Sequence, residues 1–171
     1  LGRATADGIV FIVDMRLRPC GESGPIVMSF EVMEQYYALQ GREWERYALI
    51  KVRALTGGKS GDILMRNLRP FVYRRYLDYG VFESLREMRE LIAAEVSRRE
   101  LSDNVKLGPG GIREAEFIVQ SFQLVRGGSD IALQSRELQE VLPKLVSRRG
   151  LTADSAERLR QAYRFLRRVE N

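Results

Sequence analysis

The stretch Ile9-Val10-Phe11-Ile12-Val13-Asp14-Met15-Arg16-Leu17-Arg18-Pro19 decides how the beginning of this chain is expected to fold. Five consecutive apolar residues, mostly β-branched or aromatic, predict a buried strand. Because side chains alternate between the two faces of a strand, Asp14, Arg16 and Arg18 are expected to share one face. One carboxylate and two guanidinium groups on a common face can hold a metal-bound polyphosphate, or they can form a simple surface ion pair. These residues alone leave both interpretations open.

The composition limits the chemistry that the chain can perform. With 44% hydrophobic and 30% charged residues, the 171-residue chain is expected to be soluble and globular, without membrane association. Its single cysteine excludes an intrachain disulfide, which is compatible with a reducing cytoplasm. The absence of histidine excludes Ser-His and Cys-His nucleophiles and His-ligated zinc. A net charge of +5, from arginines that are not interleaved with aromatic residues, does not favour nucleic-acid binding.

Helical spacing of apolar residues dominates the chain after residue 28. Ser29 is a good N-cap for a first helix that Gly41 ends. The periodicity predicts further helices over residues 42–55, 63–78, 81–100, 112–118, 134–147 and 153–169, the last capped by Thr152. Pro70 and Pro143 are expected to bend or shorten two of them. The expected architecture is a helical bundle that follows a short extended region, in which Ile26-Val27-Met28 form a return strand.

A glycine-rich stretch, Gly57-Gly58-Lys59-Ser60-Gly61, interrupts the helical pattern. A phosphate-binding P-loop needs a glycine five positions before its Gly-Lys pair, and Arg53 stands there instead. The preceding segment is also predicted to be helical, whereas a P-loop follows a strand. We therefore expect a flexible connector and place a domain boundary at residue 60.

A second charged segment, residues 104–118, cannot be explained by core packing. A short extended piece over residues 104–107 precedes three glycines at the start of a helix, where free N–H groups favour an anion. Lys106 and Arg113 add positive charge, and Glu114 and Glu116 can accept protons or hold the water shell of a metal. Equally, the glycines can form a tight turn and the acids can complement the helix dipole.

Taken together, these motifs resemble the bifunctional glutamine synthetase adenylyltransferase/adenylyl-removing enzyme family, which attaches AMP to a tyrosine of glutamine synthetase and removes it. The matching stretches occur in the family's order and span essentially the whole chain: residues 13–19, 24–25, 41–48, 69–76 and 106–118. The run Arg-Pro-Phe-Val-Tyr-Arg-Arg-Tyr over residues 69–76 and the pair Arg113-Glu114 resemble the N-terminal half, which is associated with deadenylylation.

The resemblance implies an α+β, mostly α, fold in which the remnant of a nucleotidyltransferase sheet is followed by a helical bundle. Residues 1–60 would be the C-terminal part of a nucleotidyltransferase-like domain, and residues 61–171 the start of the helical domain. The family's Asp-x-Asp pair is expected to lie upstream of Leu1. The chain is therefore expected to be an internal piece of a larger enzyme and inactive alone.

The activity implied is phosphorolysis of adenylyl-tyrosine on glutamine synthetase, which yields ADP and regulates nitrogen assimilation. Mg²⁺, inorganic phosphate and an adenine nucleotide (ADP or ATP) would take part, in the cytoplasm, with a PII-type signal protein and glutamine as regulators. The alternative is a regulatory module that docks glutamine synthetase or a PII-type protein without catalysis. For catalysis, the implied roles are metal ligand for Asp14, catalytic residue for Glu114 and Glu116, and nucleotide or phosphate binding for Arg16, Arg18, Lys106, Gly110, Gly111 and Arg113.

Overall fold

The computed structural model describes Gly8, residues 17–76 and residues 80–170. The predicted strand, with Asp14 and Arg16, lies outside the described residues. The chain folds as two compact units, Leu1–Gly41 and Arg42–Asn171. The assignment of residues 1–60 to a nucleotidyltransferase-like domain stays a prediction.

The described residues are mostly helical, as predicted, and contain no strand. The expected return strand at Ile26-Val27-Met28 is wrong, because these residues form bends and coil. The side chains of Ile26 and Val27 are 76% and 83% exposed. A strand needs a neighbouring strand to pair its backbone groups, and the described part of the chain offers these residues none.

In the first unit, a tight loop leads into helix α1 (Phe30–Leu39). The Arg18 guanidinium donates hydrogen bonds to the carbonyls of Glu22 and Gly24, at 2.9 and 3.1 Å, and holds the loop closed. Helix α1 begins as predicted, because the Ser29 hydroxyl accepts a hydrogen bond from the Val32 amide. Arg18 therefore has a structural partner within its own loop.

The second unit contains six α-helices within its described residues. They are α2 (Glu43–Leu49), α3 (Gly58–Val72), α4 (Gly80–Arg98), α5 (Ile112–Arg126), α6 (Leu138–Ser147) and α7 (Ala153–Glu170), with a short 3₁₀ helix at Ile131–Leu133. Helices α4 and α7 lie within two residues of their predicted bounds. Thr152 caps α7 as predicted, because its hydroxyl accepts a hydrogen bond from the Ser155 amide.

Four of the predicted helices have wrong bounds. Helix α3 spans Gly58–Val72 rather than residues 63–78, α5 continues past residue 118 to Arg126, and α6 begins at Leu138 rather than at residue 134. Helix α2 ends at Leu49 rather than near residue 55, because the amides of Ile50, Lys51 and Val52 bond to carbonyls three residues back and tighten the chain. The glycine-rich stretch is no flexible connector, since α3 begins inside it at Gly58. Pro70 lies within α3, which ends two residues later at Val72.

Helix α5 connects the two hydrophobic cores of the second unit. Val119 of α5 belongs to a core with α6 and α7, and Leu124 to a core with α2, α3 and α4. Burial on both sides fixes the position of α5, and therefore also the position of its first turn. Among the described residues, no helix is both long and apolar enough to cross a membrane.

Candidate functional site

The loop that precedes α5 is a compact turn rather than the predicted extended piece. The Asn104 side chain accepts hydrogen bonds from the amides of Lys106 and Leu107, at 3.0 and 2.9 Å. The Gly108 amide donates to the Asn104 carbonyl at 2.7 Å. An asparagine side chain that bonds backbone two or three residues ahead stabilises a turn, which explains why the extended prediction is wrong.

The first amides of α5 are already occupied by this loop. The amides of Ile112 and Arg113 donate to the carbonyls of Val105 and Lys106, at 3.1 and 3.0 Å. The expectation of free N–H groups at this helix start is therefore wrong for these residues.

The glycines of the motif allow this close packing of the backbone. A Cβ atom on Gly111 would lie 2.7 Å from the Val105 carbonyl oxygen, and Gly110 adopts a φ of +73°. The Gly110 amide donates to the Glu114 carboxylate at 2.7 Å. The structure therefore gives these two glycines a role in folding the loop, and their predicted contact with a nucleotide stays a prediction.

Three cationic side chains meet at one cavity of about 300 Å³ between α2, the loop and α5. We call it the cationic cavity. Its charged lining consists of Lys51 from α2's C-terminal side, Lys106 from the loop, and Arg113 and Glu116 from α5. With three cations and one acid, the cavity attracts an anion. Its other lining residues are Tyr47, Ala48, Leu107, Ile112 and Gln120.

The cations of the cavity are only partly neutralised. Lys106 Nζ lies 3.1 Å from Glu170 Oε1, and Lys51 Nζ lies 3.6 Å from Glu116 Oε1. Arg113 forms no ion pair with any described residue. Both lysine side chains are more than one-third exposed, so these pairs are weak and can exchange for another anion.

Glu116 is held on two sides. The Tyr163 hydroxyl of α7 donates a hydrogen bond to Glu116 Oε1 at 3.0 Å, and Lys51 approaches the same oxygen. Burial and the nearby Glu116 carboxylate raise the pKa of Tyr163. Burial, followed by the Glu116 charge, also raises the pKa of Tyr47, and Arg113 partly offsets the rise. Both phenols therefore keep their protons at neutral pH and act as hydrogen-bond donors.

Gln120 contributes a buried polar group to the same cavity. The residue is only 4% exposed, and its side chain lines the cavity wall. An amide can both donate and accept hydrogen bonds, so it can contact a bound anion through its N–H groups.

Glu114 lies on the other side of Arg113, at a second cavity. This cavity of about 440 Å³ runs between α4 and the start of α5, and we call it the α4–α5 groove. Glu114 accepts a hydrogen bond from Arg89 of α4 at 3.1 Å, in addition to the bond from Gly110. Leu107 and Arg113 line both cavities. Glu114 and Glu116, which share one predicted catalytic role, therefore line different cavities.

The predicted metal site cannot be built from the described residues. Asp14 lies outside them, and Arg18 is engaged in its own loop. Among the described residues, no group of three or more Asp, Glu, Cys or His side chains is close enough to hold a metal ion. Mg²⁺ requires several oxygen ligands, so this part of the chain does not provide its site.

Sequence reasoning missed Tyr47, Lys51 and Gln120 as site residues. Tyr47 and Lys51 are four residues apart, a spacing that places two side chains together on a helical surface. That local signal shows a shared face, but it does not show that the face packs against the start of α5. Gln120 follows Glu116 by four residues on α5, which places the two side chains on one face, and this spacing was available from the sequence.

Comparison with known families defines the class of the protein. A family model described as glutamate-ammonia ligase adenylyltransferase matches residues 1–69, and one described as GlnD PII-uridylyltransferase matches residues 86–171. Both descriptions are of nucleotidyltransferases, so the chain is of nucleotidyltransferase type.

The second match covers 86 of the 171 residues, just over half of the chain. Over that half the chain belongs to the GlnD PII-uridylyltransferase type, and both matches support the family that its motifs resemble, the glutamate-ammonia ligase (glutamine synthetase) adenylyltransferases. The cationic cavity joins the two matched regions, since Tyr47 and Lys51 come from the first and Arg113 from the second.

Proposed function

We propose that this chain is part of the adenylyl-removing half of a glutamine synthetase adenylyltransferase, and that its cationic cavity binds phosphate groups. In the reaction, an oxygen of inorganic phosphate attacks the phosphorus of the adenylyl group on tyrosine. The bond from that phosphorus to the tyrosine oxygen breaks, the tyrosine oxygen regains a proton, and ADP forms. The observation that carries the proposal is the meeting of Lys51, Lys106 and Arg113 around one cavity.

The three cations differ in what they contribute to an anion. Arg113 offers a planar fork of N–H donors that matches two phosphate oxygens, and it has no competing carboxylate among the described residues. Lys51 and Lys106 are point charges whose carboxylate partners are exchangeable. Positive charge that is fixed before the reaction stabilises the charge that develops on the phosphoryl oxygens during transfer.

The neutral groups of the cavity complete this anion site. The Tyr47 hydroxyl stays protonated because burial and the Glu116 charge raise its pKa, so it remains a donor. The Gln120 amide adds a second neutral donor. Glu116, held by Tyr163, acts as a positioning residue for Lys51. Asp14 stays a predicted Mg²⁺ ligand, and the roles proposed for the cavity residues use no metal.

The proposed setting follows from the families that match. The name of one matched family describes action on glutamate-ammonia ligase, and the name of the other describes action on PII. For this chain we propose glutamine synthetase as the protein substrate, a PII-type protein and glutamine as regulators, and the cytoplasm as the location.

The proposal is tested by substitution in the full-length enzyme. Lys106→Ala and Arg113→Ala are expected to lower phosphate-dependent ADP release from adenylylated glutamine synthetase by about 10-fold or more, the scale for loss of one charge-stabilising group. Arg158→Ala is the matched control, because Arg158 lies on α7, is 81% exposed and belongs to neither cavity. Normal turnover in both cavity variants would show that Lys106 and Arg113 have only a structural role.

A regulatory docking module is the second candidate, favoured by exposed apolar residues in the first unit. Ile26, Val27 and Leu39 are each at least 75% exposed, and such surfaces often contact other proteins. Thermal melting separates the two candidates. A shift caused by ADP or phosphate supports the nucleotide site, whereas a shift caused only by glutamine synthetase or a PII-type protein supports docking without catalysis.

A further inference from the structure

The α4–α5 groove has the size and lining of a small-molecule site. Its volume of about 440 Å³ falls within the range of ligand pockets. The walls are mainly apolar, and the polar groups lie at a few places, which is the usual balance for a site that holds a flat organic group. The apolar lining consists of Ile92, Ala93, Val96, Leu107, Pro109 and Phe117.

The groove adjoins the cationic cavity. Leu107 and Arg113 line both, so one ligand can place an anionic end against the cations and an apolar end against α4. The Arg113 guanidinium suits this position, because it can bond phosphate oxygens at its edge and stack on an aromatic group with its face. The juxtaposition selects a ligand that is anionic at one end and aromatic at the other.

Polar groups at the rim of the groove match the edge of a nucleobase. The Glu114 carboxylate bonds Arg89 and the Gly110 amide, and its oxygens keep lone pairs that can accept from an exocyclic amino group. Ser97 and Ser102 add hydroxyl groups to the lining. Phe117, whose ring lies 5.6 Å from the Tyr47 ring, supplies an aromatic wall.

We propose that the α4–α5 groove is a nucleoside subsite, in which an adenine nucleotide places its purine while its phosphates occupy the cationic cavity. This inference rests on the proposed function and extends it, because it assigns the base to the helical unit. A nucleotide should then bind more tightly than its phosphates alone, by about 10-fold, since stacking of one base contributes on that scale.

The experiment compares ADP with pyrophosphate by isothermal titration calorimetry on the full-length enzyme. Ala93→Phe fills the groove without replacing a cationic residue, and Ala94→Phe is the matched control, because Ala94 is the next residue of α4 and lines neither cavity. We expect ADP to bind about 10-fold more tightly than pyrophosphate in the wild type and in Ala94→Phe. In Ala93→Phe this advantage should disappear while pyrophosphate binding is unchanged.

Each outcome distinguishes the subsite from the proposed function. Failure of pyrophosphate to bind, or binding unaffected by Arg113→Ala, refutes the cationic cavity and the subsite with it. If pyrophosphate binds and depends on Arg113, but ADP binds no more tightly or keeps its advantage in Ala93→Phe, only the subsite is refuted. Loss of glutamine synthetase binding in Ala93→Phe, with ADP binding intact, would instead make the groove a protein contact.

Photo-crosslinking of the wild-type enzyme provides a test that needs no variant to fold. An ADP analogue with an azido group on the purine should label peptides from residues 89–97 or 102–117 of this region. Excess ADP should suppress that labelling. Suppressible labelling confined to other peptides would refute the subsite.

Discussion

Replacement of Arg46 by alanine is expected to destabilise the second unit more than the substitution of an exposed residue. Arg46 is 1% exposed, and its Nε and Nη2 atoms donate to the Val72 carbonyl at 3.2 and 3.1 Å. Its Nη1 atom also pairs with Glu43, which a second arginine, Arg74, contacts at 2.8 Å. Arg46 therefore ties α2 to the last turn of α3.

The size of the stability loss depends on which contacts the partners of Arg46 keep in the variant. Removal of one member of a buried charged network costs about 3–5 kcal/mol, because the groups left behind are desolvated without a partner. Glu43 retains Arg74 in the variant, whereas the Val72 carbonyl loses both guanidinium donors. We therefore expect Arg46→Ala to lower the free energy of unfolding by about 3 kcal/mol, at the lower end of that range.

Urea unfolding followed by tryptophan fluorescence measures this loss directly. Trp44 is the single tryptophan of the chain and lies in α2, two residues from Arg46, so its signal reports this unit. Arg74→Ala is the control, because its side chain is 36% exposed and should cost no more than about 1 kcal/mol. An equal effect of the two variants, or a loss below about 1 kcal/mol for Arg46→Ala, would refute the reasoning.

Two further predictions concern the packing of Tyr73 against the end of α5. Burial raises the pKa of Tyr73 to about 12, so the folded state keeps a proton that the unfolded chain loses above pH 10. The free energy of unfolding should therefore fall between pH 10 and 12. In alkaline urea titrations, Tyr73→Phe should remove up to about 2–3 kcal/mol of that fall. An unchanged pH dependence in the variant would contradict this prediction. Gly127→Ala should destabilise by about 1–3 kcal/mol in urea unfolding, because its Cβ would lie 2.6 Å from Tyr73 Cδ1. Gly150→Ala should lower the free energy of unfolding by less, because its Cβ would lie 3.3 Å from the flexible end of an arginine side chain. Equal losses in the two variants would show that the clash with Tyr73 is not the cause.

The helices that sequence reasoning predicted well are those whose signals are local. Ser29 and Thr152 cap α1 and α7 through bonds within their own first turns. The long apolar stripe of α4 also lies within one segment. Such signals depend on neighbours three or four residues away, so no knowledge of the tertiary fold is needed.

The wrong predictions concern features that depend on residues distant in sequence or on the contacts of a single side chain. The apolar run at residues 26–28 begins with two β-branched residues and has strand propensity, but a strand exists only when another strand pairs with it. Residues 104–107 were predicted to be extended, but they form a compact turn because the Asn104 side chain accepts two backbone hydrogen bonds. The cationic cavity combines Lys51 with Arg113, which lie 62 positions apart in sequence, and neither local segment contains information on that contact.

A second contact between residues distant in sequence, that of Lys51 with Glu116, explains why a carboxylate belongs in a cavity proposed to bind phosphate. Glu116 Oε1 lies 3.6 Å from Lys51 Nζ and 3.0 Å from the Tyr163 hydroxyl. The Lys51 ammonium also donates a hydrogen bond to the Arg136 carbonyl at 2.8 Å, so two groups hold it at the cavity before any anion arrives. The longer contact is the weaker one, and an entering phosphate can replace it while Tyr163 still satisfies the carboxylate. Like-charge repulsion between Glu116 and the phosphate then limits affinity, which favours release of a phosphate-bearing product. On the proposed function, Glu116 therefore positions Lys51 and limits affinity, and its role as a catalytic residue stays a prediction.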